Sequence, residues 1–267
     1  MRRRAFLAGG ATVTALGLGA SSVATGTTDA AGRPDQPPEP TDTLLPGTEH
    51  ETPVYTVEGE RDGPTALVVG GMHGDERSGY LAAEAILDWS VDAGRVVVLP
   101  RANRVAIRRD SRDGASGDLN RQFPPGEEPT TELARAIWSL AERESPDVVA
   151  NLHSSKGIYR THAEFVGQAI FPTAAGGAES VAEAVVGTLN DAVVPWYMPL
   201  HGFSVGNALS GTAPLFAHKV GGDLGRPAYI VEVTEFLLDA QAGARWTERA
   251  AEELLARHGI ERTGGSR

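Results

Sequence analysis

The chain has 267 residues, 41% of them hydrophobic, which is enough for one full-sized domain with a real core and too few for two large ones. Its 35 acidic residues against 24 basic ones give a net charge of -11, which repels nucleic-acid phosphate and anionic membrane and argues against both as partners. With no cysteine, disulfides and thiolate-ligated metals are excluded.

At the N-terminus, Arg2, Arg3 and Arg4 precede Phe6, Leu7 and a mildly apolar, Gly- and Ala-rich stretch to residue 20. That order of charge, apolar run and small residues is the layout of a signal peptide, and Arg3 to Leu7 is similar to a twin-arginine export signal. The run is too short and Gly-rich to span a membrane. The expectation is a signal over residues 1–24, a secreted or extracytoplasmic protein, and no stable membrane insertion after signal removal. Residues 25–51, rich in Pro, Gly, Asp and Thr, read as a disordered tether. The domain is expected over residues 52–260, with a tail at 261–267. Lysine occurs only at 156 and 219, and this scarcity beside an acid excess suggests a protein from a high-salt medium.

Within the domain, residues 54–57 alternate like an edge strand. Residues 65–69, 95–99, 147–152 and 227–233 are nearly continuous apolar runs rich in Val and Ile, the pattern of strands covered on both faces. Helical periodicity occupies residues 79–89, 131–144, 179–186 and 246–258, the last stopped by Gly259. Strands alternating with helices predict an α/β three-layer sandwich: a central mixed, mostly parallel sheet with helices on both faces. Ligands of such sheets gather at the carboxyl ends of the strands.

The first central strand runs into Gly70-Gly71-Met72-His73-Gly74-Asp75-Glu76. An imidazole and a carboxylate three residues apart suit two positions on a tetrahedral Zn²⁺. A third protein ligand is then needed. His153, at the exit of the 147–152 strand, reaches the same sheet edge, with His162, His201 and His218 as rivals. Glu232 interrupts an apolar strand, and burying an unpaired carboxylate costs on the order of several kcal/mol, so it should have a purpose. Glu235 is its competitor; on a continued strand it would face the other way.

With Asp118-Leu119-Asn120-Arg121-Gln122-Phe123-Pro124, Asn151-Leu152-His153-Ser154-Ser155 and Val231-Glu232-Val233, the chain resembles the zinc carboxypeptidase superfamily (carboxypeptidase A-like), including its succinylglutamate desuccinylase and aspartoacylase branch. The resemblance implies one Zn²⁺ per chain on His73, Glu76 and His153, with Glu232 as general base. It implies that Asn120 and Arg121 grip a substrate carboxylate, and that an upstream arginine polarises the scissile carbonyl. Arg112 is favoured for that role over Arg108 and Arg109. Two departures stand out. Asn151 occupies a position where many relatives have Asp, and neither Tyr197 nor Tyr229 aligns with the mobile tyrosine of the carboxypeptidase branch.

The implied function is zinc-dependent hydrolysis of an amide bond near a free carboxylate. The substrate is then either a small peptide cut at its C-terminal end or an N-acyl amino acid. A non-catalytic, carboxylate-binding exported protein that keeps the fold is the alternative.

Overall fold

The apolar runs at 65–69, 95–99, 147–152 and 227–233 become the four parallel strands at the middle of one eight-stranded sheet. The structure, a computed structural model, describes residues 38–264, so the expected signal peptide lies outside the described residues. In chain order the elements are β1 (Asp42–Leu44), β2 (Thr52–Glu58), β3 (Thr65–Gly70), α1 (Arg77–Ala85), β4 (Ser90–Val91), β5 (Arg95–Leu99), α2 (Arg104–Arg109) and α3 (Glu132–Glu144). They continue with β6 (Val148–Ser155), β7 (Ala169–Pro172), α4 (Ala178–Ala192), β8 (Ser204–Val205), α5 (Phe216–Lys219), β9 (Ala228–Thr234), α6 (Ala240–Arg257) and β10 (Arg262–Thr263). The main sheet has the order β1-β2-β5-β3-β6-β9-β7-β8, while β10 pairs with β4 in a separate ribbon. β5, β3, β6 and β9 are mutually parallel; β2 and β7 flank them antiparallel.

Because side chains alternate across a strand, each central strand feeds two cores. Val68 of β3, Leu152 of β6 and Val231 of β9 pack with α1, α4 and α6 on one face. Leu67 and Val69, Val149 and Ile230 pack with α3 and α5 on the other. The sheet is therefore the middle layer of three, as expected. The same alternation sends His153 and Glu232 to the α3/α5 side of the sheet. β6 and β9 run in register with His153 opposite Glu232, so the two residues are lateral neighbours.

Several boundaries differ from expectation. Residues 42–44, read as tether, instead form the edge strand β1, whose Leu44 is buried in the core beside Val54. That displaces β2 from the edge. Arg262 and Thr263, read as tail, pair with β4. His153 lies within β6 and does not follow it. Among the described residues no helix is long and apolar enough to cross a membrane.

Candidate active site

β3 ends at Gly70, and the chain then turns through Gly71 at φ +70°, a left-handed conformation that favours glycine. Gly74 follows against α2, where a Cβ would lie only 2.1 Å from the Ala106 carbonyl. Its N–H donates to Ser111 O at 2.8 Å. These backbone contacts fix the segment between His73 and Glu76, so that both side chains return over the sheet edge.

There Glu76 stands between the two histidines. Its Oε1 meets His73 Nδ1 at 2.7 Å, and its Oε2 meets His153 Nδ1 at 2.6 Å. One donor atom from each of the three residues lies within 4.8 Å of the others, and His73 and His153 are almost wholly buried. Two imidazole nitrogens and a carboxylate oxygen so close together suit Zn²⁺, whose bonds to such atoms are about 2.0–2.2 Å long.

Around this cluster the charges interlock. Asp118 Oδ1 lies 2.8 Å from His73 Nε2, and Asp118 Oδ2 accepts from Arg112 Nε at 3.0 Å. Arg112 Nη1 also donates to Glu76 Oε1 at 3.0 Å. Burial alone would lower the His73 pKa, but the hydrogen bonds to Asp118 and Glu76 outweigh it and raise it to about 9. Burial would push Glu76 up, yet His153 and His73 hold it well below the usual carboxylate range. Asp118 is depressed likewise, with His73 and Arg112 overcoming its desolvation.

Glu232 is different. Its Oε2 is sealed from solvent with no hydrogen-bond partner, and burial, followed by the nearby charge of Glu76, raises its pKa well above normal. It lines a cleft of about 790 Å³ together with His73, Glu76, Arg112, Asn120 and Arg121. Asn120 is fixed by accepting from Phe216 N at 3.0 Å, while its Nδ2 faces His153 Nε2 at 3.4 Å. Arg121, half-exposed, donates to Asn120 O at 2.8 Å.

The rivals separate clearly. His162 is exposed, His201 bonds Phe236 O and His218 bonds Ala213 O, so none reaches Glu76. Of the three arginines, Arg112 lines the cleft, whereas Arg108 reaches out to Glu49 O. Tyr229 points into the opposite core, where its hydroxyl meets His258 Nε2 at 2.8 Å. Glu235 keeps the strand alternation: its N–H still pairs with Ser155 O at 2.8 Å, and its carboxylate accepts from Ser154 Oγ at 2.9 Å on the side of the sheet opposite His153 and Glu232, while also lining the cleft at the strand ends. Asp118 was missed as a site residue. It stood in the quoted Asp-x-Asn-Arg motif, but its partner His73 is 45 positions away.

Three known proteins resemble this chain in sequence or in fold. Over 108 residues the chain is 38% identical to an N-alpha-acetyl-L-2,4-diaminobutyric acid deacetylase of Halomonas elongata, a match covering 37% of this chain and 31% of that protein. Its fold superposes on product-bound Cell Shape Determinant protein Csd4 of Helicobacter pylori with a TM-score of 0.69 at 21% identity, covering 80% of this chain and 57% of Csd4. The ectoine utilization protein EutE (DoeB) of Ruegeria pomeroyi superposes with a TM-score of 0.58 at 20% identity, over 81% of this chain and 63% of that one. The chain thus spans about a third of the deacetylase and somewhat over half of Csd4. Residues 48–190 match the family described as "carboxypeptidase controlling helical cell shape, catalytic". Since that match takes in more than half of the sequence, the chain belongs to this family, within the zinc carboxypeptidase-like proteins.

Proposed function

We propose that the protein is a zinc-dependent hydrolase that cleaves an amide bond next to a free carboxylate, with carboxypeptidase action on a short peptide as its main activity. The observation that carries this reading is the convergence of His73, Glu76 and His153 beside the enclosed, unpartnered carboxylate of Glu232. The family match and the superposition on Csd4 support the carboxypeptidase form. The 38% identity to a deacetylase supports an N-acyl amino acid as the second substrate to test.

His73, Glu76 and His153 would hold the zinc, which supplies Lewis-acid chemistry by acidifying water and polarising a carbonyl. Asn120 and Arg121 receive the substrate carboxylate, a task suited to a planar guanidinium that donates two parallel hydrogen bonds. Arg112 uses three donor nitrogens on Glu76 and Asp118 and keeps N–H groups for the carbonyl oxygen of the scissile amide. As water adds to the carbonyl carbon, Glu232 Oε2 takes its proton. When the C–N bond breaks, the same oxygen returns that proton to the leaving nitrogen.

The experiment compares wild type with Glu232→Gln for zinc content and for hydrolysis of C-terminally varied peptides and N-acyl amino acids. The expected result is stoichiometric zinc in both proteins and hydrolysis in wild type alone. Equal hydrolysis by the variant removes Glu232 from the mechanism. Zinc binding without turnover on any member of the panel favours the non-catalytic, carboxylate-binding alternative. Export through the Arg3–Leu7 signal belongs to the same reading, and its test is whether Arg3→Lys together with Arg4→Lys keeps the protein inside the cell.

A further inference from the structure

Lysine occurs at two positions in the chain, and one of them, Lys219 at the end of α5, is almost wholly buried. An ammonium taken out of water is costly unless its three N–H groups find acceptors. Here all three do. Nζ donates to Pro124 O at 3.1 Å, to Glu127 O at 2.6 Å and to Asp223 Oδ2 at 2.5 Å, and it lies 4.5 Å from the centre of the Trp138 ring on α3. Asp223 uses its other oxygen to accept from Gly126 N at 2.8 Å. An apolar side chain of similar size would fill the space without the cost of desolvating a charge, so stability alone does not account for the ammonium.

What it holds is the stretch of chain that follows Asn120 and Arg121. Three further contacts tie that stretch to the segment carrying Lys219. Phe216 N donates to Asn120 Oδ1 at 3.0 Å, Phe123 N donates to Pro214 O at 3.1 Å, and the rings of Phe123 and Phe216 meet edge to face at 5.2 Å. One short helix therefore orients Asn120 at its first residue and grips Pro124 and Glu127 at its last. Arg121 has little else to direct it. Its half-exposed side chain bonds Asn120 O within its own segment and stands 3.9 Å from Asp118, so its stance follows the main chain beneath it.

Resting on the amide-hydrolase reading above, we infer that Lys219 is a positioning residue for the substrate carboxylate. Through Pro124, Glu127 and Asp223 it sets the stance of Asn120 and Arg121, and with it the discrimination between a free and a blocked C-terminus. Lys219 touches no substrate itself.

The test uses two peptides identical except for a C-terminal carboxylate or a C-terminal amide. Zinc-loaded wild type, Lys219→Met and Asp223→Asn give kcat and KM on the free acid. The same three proteins carrying Glu232→Gln give dissociation constants for both peptides, and thermal unfolding is followed throughout. Wild type should bind the acid about tenfold or more tighter than the amide, as expected for a charged hydrogen bond. Lys219→Met should raise KM about tenfold with kcat nearly unchanged and bring the acid-to-amide ratio close to one. Asp223→Asn, which keeps an acceptor for Gly126 N, should move both readouts the same way by less, and it decides the matter should Lys219→Met fail to fold. A lower melting temperature with KM and the ratio unchanged would make Lys219 purely structural and overturn the inference, as would a wild type that does not tell acid from amide. Discrimination that depends on Lys219 in a protein that hydrolyses neither peptide sustains the positioning role and overturns the amide-hydrolase reading instead.

Discussion

Asp118 Oδ1 lies 2.8 Å from His73 Nε2 while His73 Nδ1 faces Glu76, so one imidazole is clamped between two carboxylates. Asp118 thereby fixes the ring's orientation and leaves Nδ1 as the atom turned to the metal position. Asp118→Asn keeps the shape but removes the charge, and it should weaken zinc binding about 10- to 100-fold. Competition against a chelator of known affinity measures this. An unchanged affinity would show that the ring is held by packing alone.

The same clamp predicts a proton count. With its pKa raised to about 9, His73 is charged at neutral pH in the metal-free protein, whereas a zinc ligand must be neutral. Zinc binding at pH 7.5 should therefore release a proton from His73, and apparent affinity should climb with pH until about pH 9. Calorimetry in buffers of different ionisation enthalpy reads the proton directly. The shift also acts on stability. A histidine whose folded pKa lies above its unfolded value of roughly 6.5 contributes fully below that value and loses the contribution as pH rises through about 9. Metal-free protein should lose thermal stability across that window, and His73→Gln should flatten the loss.

How far the sequence carries depends on whether a signal is local. The four central strands were legible because burial on both faces demands unbroken apolar runs, and His73, Glu76 and His153 because strand exits of one parallel sheet share an edge. β7, β8 and α5 are only 4, 2 and 4 residues long, too short for any periodicity to register. β1 was hidden because its three residues borrow their stability from pairing with β2 and burying Leu44. Asp118 could be named but not assigned, since its partner is distant in the chain.

Gly74 offers a test of the backbone beneath the site. A methyl group there would lie 2.1 Å from the Ala106 carbonyl, and both partners are main chain, so neither can rotate away. Gly74→Ala should cost about 1–3 kcal/mol of stability, the usual range for overpacking. It should weaken zinc binding as well, since the displaced segment carries His73 and Glu76. Denaturant unfolding and metal titration on the same variant check the two effects together, and full stability with native affinity would mean that α2 yields easily.

Arg112 and Arg121 line one cleft yet should fail differently when removed. Arg112 is locked in place by Glu76 and Asp118, and in the proposed mechanism it meets the carbonyl oxygen as charge grows there, so its contribution would belong to the transition state. Arg112→Ala should lower kcat by about 10²- to 10³-fold, the usual cost of one lost oxyanion donor. Arg121 is half-exposed, and the substrate carboxylate proposed to bind it would be equally charged before and during reaction. Its removal should therefore appear chiefly as a higher KM. Steady-state kinetics of both variants on one peptide separate the roles. A loss confined to kcat in Arg121→Ala would move the carboxylate anchor elsewhere, with Lys156 the next cation lining the cleft.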